Sequence, residues 1–139
     1  MALSGHPNGQ RLVRLVADMA RIHKAELIGV HIVEIDWSMP LDMDVAGRSE
    51  EIQQVLDLAE GTAESAGVKL ESVLLQARDV GAALVDEAVE RNADLLVVGL
   101  AFKTKVGGDF AMGRTIPYVR KNAPCAVWVV REPIPEETS

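Results

Sequence analysis

The stretch Ala93–Val130, ADLLVVGLAFKTKVGGDFAMGRTIPYVRKNAPCAVWVV, decides how the chain folds. It opens on an apolar run ending at Gly99, crosses a basic segment carrying four glycines, and closes on a second run, CAVWVVR (125–131). Neither run alternates apolar with polar residues, so each needs cover on both faces. Strands of a parallel sheet between layers of helices have that requirement. The basic segment Gly99–Thr115 follows directly on the first run, where such a sheet would place a ligand loop. Whether it cradles an anion or only joins a strand to a helix is the functional question.

Working outward, the other elements fall into the same alternation. Leu12, Leu15, Val16, Met19 and Ile22 have helical spacing behind a turn in which Asn8 can act as N-cap. AELIGVHIVE (25–34) is a buried-strand pattern, and residues 36–46 hold proline, acids and no period, the pattern of a loop. Ile52, Val55, Leu56, Ala59 and Ala63 share one face of a second helix starting near Ser49, and Gly67 stops it. VKLESVLLQA (68–77) is the next strand, and Asp79 caps a third helix carrying Leu84, Val85, Ala88 and Val89. A short helix over Thr115–Asn122 precedes the final strand. The predicted fold is a single doubly wound α/β domain with a five-stranded parallel sheet and helices on both faces. It spans residues 1–131, with a flexible tail at 132–139. Its first strand is truncated to MAL before the turn SGHPNG; either it begins upstream or the sheet is short there.

Composition narrows the function. With 139 residues, 48% hydrophobic and 25% charged, the chain suits one folded domain. One cysteine excludes an internal disulfide and, with no signal-like N-terminus, makes the cytoplasm the default expectation. A net charge of −7 argues against nucleic-acid or membrane binding by the molecule as a whole. Yet Lys103, Lys105, Arg114, Arg120 and Lys121 stand against Asp109 alone. The 103–121 segment therefore carries about +4, leaving about −11 elsewhere.

Catalytic constellations are missing. His6, His23 and His31 fall in a turn, a helix and a strand, without metal-site spacing. Cys125 sits in an apolar run, and no pair of acids is set apart from an ordinary helix surface. Slow ATP hydrolysis is the one enzymatic reading left open. LSGHPNG (3–9) has a faint likeness to the phosphate loop of ATP pyrophosphatases, but it lacks that loop's second glycine and aspartate. An ordinary strand-to-helix turn accounts for it.

Phosphate binding needs successive backbone N–H groups facing one concavity. Gly99 can turn the chain off its strand, Gly107 and Gly108 can form a tight turn, and Gly113 lies before a helix. Arg114 adds a forked, permanently charged donor. Equally, Gly107 and Gly108 can be turn residues only, Lys103 and Lys105 a solvated face, and Phe102 a core residue.

ADLLVVG, the glycine-bearing loop, GRT (113–115) and YVRKNAPCAVWVV (118–130) closely resemble the C-terminal half of the universal stress protein family. AELIGVHIVE and ARDVGAALVDEAVERNADLLVVG (77–99) resemble its second strand and its third helix with fourth strand. GRTIPYVRKNAPCAVWVV is also similar to stress-protein domains attached to some amino-acid transporters. Nucleotide-binding members carry Gly-x2-Gly-x9-Gly-[Ser/Thr] after the fourth strand. Gly99 matches its first position, Phe102 replaces the second glycine, and Gly113 falls one residue late, followed by Arg114 and Thr115. Ser4 stands where binders often have an aspartate.

Two functions follow from the resemblance. The first is a regulatory module holding an adenine nucleotide, ATP above all. Gly99, Gly113, Arg114 and Thr115 would then meet phosphate, and Leu3, Ser4 and Ile32 would flank the adenosine. The second is a nucleotide-free domain acting as a dimer on a partner such as a transporter. The resemblance also implies a homodimer through the last strand, with Cys125, Val127, Trp128 and Val129 at the interface.

Overall fold

A computed structural model of the 139-residue chain describes residues 1–3, 9–35, 38, 49–102 and 110–133. Its elements alternate: α1 (Gly9–His23), β1 (Leu27–Glu34), α2 (Ser49–Ser65), β2 (Leu70–Ala77), α3 (Val80–Glu90), β3 (Leu95–Phe102), α4 (Phe110–Asn122) and β4 (Ala126–Pro133). β1 pairs with β2 and β3 with β4, both in parallel.

The three residues before α1 join these pairs. Ala2 N–H donates to the Val97 carbonyl at 3.0 Å on one side. On the other, Leu3 N–H donates to Val30 O at 2.7 Å and Val30 N–H to Met1 O at 2.9 Å. The order across the structure is therefore β2–β1–stub–β3–β4, with the predicted short first strand reduced to one parallel bridge, Ala2 to Val30.

Alternation along the strands divides the core into two layers. On one face Leu27, Val33 and Val97 pack with α1 and α2; on the other Val30, Leu96 and Val98 pack with α3 and α4. Leu84, Val98 and Val119 are the largest fully buried side chains. Each such side chain stabilises the fold by roughly 1.5–3 kcal/mol.

The helix ends follow their local chemistry. Asp79 is extended (φ −130, ψ 114), and its carboxylate accepts from Ala82 N–H at 3.2 Å, capping α3 as predicted. Gly67 adopts φ +83 just past α2, and Val68 N–H returns to Ala63 O at 2.9 Å, a glycine-terminated helix end.

Three readings of the sequence need correction. The buried face of α1 is Leu12, Val13, Val16, Ala17 and Ala20, rotated from the predicted stripe, while Leu15 and Ile22 are exposed. The face that carries the small residues Ala17 and Ala20 packs into the core layer that α1 shares with α2. Gly99 does not end its strand: β3 runs three residues further, to Phe102. Last, α4 begins at Phe110 rather than near Thr115, so Gly113 lies inside it and Pro117 in its middle. Glycine and proline both disfavour a helix interior, which is why the pattern pointed to a later start.

Candidate functional site

In a parallel sheet the ligand crevice opens beyond the C-terminal strand ends, where the strand order reverses. Here that point lies between the stub and β3. The rim is marked by Leu3, by Glu34 aligned with Ala77, and by Phe102 aligned with Pro133.

Leu3 is buried and lies over Gly29, where an added Cβ would come within 2.9 Å of Leu3 Cδ1. The missing side chain at 29 is what lets the stub sit down on β1. The Leu3 carbonyl lies 3.0 Å from His31 Nδ1. Since a carbonyl only accepts, Nδ1 is the donor in this contact. Ile32, by contrast, is half-buried against the α3/α4 layer, whereas Leu3 packs in the α1/α2 layer. The two predicted adenosine-flanking residues thus share the rim through their backbones but send side chains to opposite faces. Ser4 lies outside the described residues, as do Lys103, Lys105, Gly107 and Gly108.

Gly99 has a packing role. It pairs with Val130, and a Cβ there would stand 2.8 Å from Leu12 Cδ2 of α1. Its bare backbone admits α1, which corrects its reading as a turn residue. Gly113, Arg114 and Thr115 follow one another within α4. The helix's unsatisfied first amides therefore belong to the turn that begins at Phe110, upstream of Arg114. Thr115 is buried, at 5% exposure. Arg114 is 83% exposed, and its guanidinium lies 3.7 Å from the Glu34 carboxylate. This ion pair brings the start of α4 across the crevice to the end of β1.

Glu34 is the rim residue that pattern reading passed over. Its charge closing an apolar strand was the available signal, because a parallel strand delivers its last residue to the ligand face. His31 was noted only for lacking metal spacing, and its contact with Leu3 was not legible in the sequence.

Elsewhere the chemistry is sparse. Burial, with Asp94 nearby, pushes the Cys125 thiol up, which opposes a reactive thiolate. Among the described residues no group of three or more His, Cys, Asp or Glu could hold a metal ion, and no helix is long and apolar enough to cross a membrane. A cavity of about 680 Å³ reaches from Met1 and Ile28 to Arg91 and Trp128, but it opens at the N-terminal strand ends, opposite the rim. On β4, Trp128 and Val129 are 43% and 39% exposed at the edge of the strand order, while Cys125 and Val127 are half-buried.

The chain is 29% identical over 139 residues to the sensor protein KdpD of Mycobacterium tuberculosis (strain CDC 1551 / Oshkosh), covering 100% of this chain and 15% of that protein. Among solved structures, a universal stress protein in complex with cAMP superposes with a TM-score of 0.69 at 24% identity, covering 94% of this chain and 92% of that one. The universal stress protein of Archaeoglobus fulgidus in complex with dAMP gives 0.69 at 21% identity, with 93% of each chain covered. At these identities the likeness establishes the fold. The family model of the universal stress proteins matches residues 1–131, and the chain belongs to that family.

Proposed function

We propose that the chain is a regulatory stress-response module that binds an adenine nucleotide at the C-terminal rim of its sheet. One observation carries the reading: Arg114, exposed at 83%, reaches from α4 over the strand-order reversal to within 3.7 Å of Glu34. A permanently charged, forked donor at that point is suited to phosphate. The cAMP and dAMP complexes of related folds support an adenine nucleotide, and ATP belongs to the same class. The role is binding rather than catalysis, in the cytoplasm.

Titration calorimetry with AMP and ATP tests the reading. Micromolar dissociation constants are expected, weakened about tenfold by Arg114→Gln, a loss of roughly 1.4 kcal/mol. Millimolar or absent binding would overturn it.

A second role is favoured by the exposed Trp128 and Val129 on β4. An apolar edge strand invites pairing, and we assign it to a homodimer. The match to part of a sensor protein supports signalling to a further partner, for which a membrane transporter is one class. A nucleotide-free interaction domain would use this edge alone.

A further inference from the structure

We infer that Glu34 sets the phosphate-charge selectivity of the rim, so that the paired Glu34 and Arg114 favour a nucleotide with one phosphate over a polyphosphate. The inference rests on the adenine-nucleotide reading above and names the ligand class more narrowly.

Glu34 is the last residue of β1, and its Oε1 lies 3.7 Å from the Arg114 guanidinium. Both side chains are open to water, at 43% and 83% exposure, so the pair itself adds little to stability. Its consequence is local charge. A phosphate engaging Arg114 meets a carboxylate within the same few ångströms, and the two protein charges sum to zero. A single phosphate can share the guanidinium fork, which has five N–H donors. Each further phosphate adds negative charge beside a carboxylate without a matching cation from this pair. The other basic residues of α4, Arg120 and Lys121, lie in its last turn. Six or seven residues of helix place them about 9–10 Å further along the axis, close to a Debye length at physiological salt. At physiological salt they screen the Glu34 charge weakly; Arg78, one residue past the Ala77 aligned with Glu34, is a further cation at these strand ends, so Arg78→Gln is titrated alongside as a control. Glu34 thus acts as a counter-charge that lowers the gain from added phosphates.

The test is calorimetric titration of the wild-type chain, Glu34→Gln and Glu34→Lys with adenosine, AMP and metal-free ATP at low salt, repeated at high salt. Glu34→Gln keeps the side-chain shape and removes only the charge. It is expected to leave adenosine unchanged, tighten AMP about twofold and tighten ATP about tenfold. Glu34→Lys extends the same trend, and high salt compresses it. In an Arg114→Gln background the Glu34→Gln effect on the ATP-to-AMP ratio should shrink, since both side chains address the same phosphates. Nucleotide binding with an ATP-to-AMP ratio unmoved by either Glu34 substitution overturns the selectivity while leaving the site reading intact. Failure of all three chains to bind any nucleotide overturns both. Circular dichroism confirms that each variant remains folded.

Discussion

In a chain prepared to start at Met1, the α-amino group gives stability a pH dependence that can be worked through. In the 139-residue chain this ammonium is buried beside β1 and donates to Ile28 O at 2.7 Å. Loss of hydration dominates, a weaker interaction with Cys125 opposes it, and the pKa falls from 8.0 to about 6. Burial disfavours the charged form, so the folded state releases this proton more readily than the unfolded chain. Between about pH 6 and pH 8 the unfolded state therefore binds more protons, and stability rises with pH across that window. A two-unit difference corresponds to roughly 2–3 kcal/mol, complete above pH 8 and lost below pH 6. Urea denaturation at pH 5.5 and 8.5 measures it. The decisive comparison, which isolates this one group, is with an Nα-acetylated chain. The acetylated amide keeps one N–H for Ile28 and cannot ionise, and its stability should exceed that of the free amine at pH 5.5 and match it at pH 8.5. An acetylated chain with the same pH profile as the free amine would refute the reasoning.

Substitutions at three other positions test separate contacts. Gly67→Ala should cost about 1 kcal/mol in urea denaturation because the residue sits at φ +83; its new Cβ would meet only ordinary contact with Arg21 at 3.5 Å, so an unchanged midpoint would show the backbone argument wrong. Asp79→Ala should lose about 1 kcal/mol through the missing cap on Ala82, and Asp79→Asn much less. Val129→Lys at the exposed edge should convert a dimer to a monomer in sedimentation velocity without changing the circular dichroism, whereas a wild-type monomer at high concentration would remove the proposed dimer.

Most of the element order was legible because it rests on periodicity and on residues with one strong backbone preference. Gly67 and Asp79 ended and began helices where their chemistry required. The unbroken apolar runs at 95–98 and 125–130 pointed to a sheet covered on both sides. What could not be read depends on contacts between segments distant in sequence. The buried stripe of α1 follows from its packing with α2 in one core layer, and Gly99 from the position of Leu12. Gly113 and Pro117 argue locally for a late helix, yet α4 incorporates both. At the site, Arg114 could be picked out for its charge beside a glycine. Its partner Glu34 could not, because eighty residues of chain separate them and only the parallel order of the sheet unites them.

The most direct measurement of the central claim is an amide-resolved NMR titration of the folded chain with AMP. The account expects shift changes concentrated at Leu3, Ile32 to Glu34 and Arg114 to Thr115, saturating in the micromolar range. Changes confined to the opposite end of the sheet, around Ile28, Arg91 and Trp128, or none at all at millimolar AMP, would contradict it.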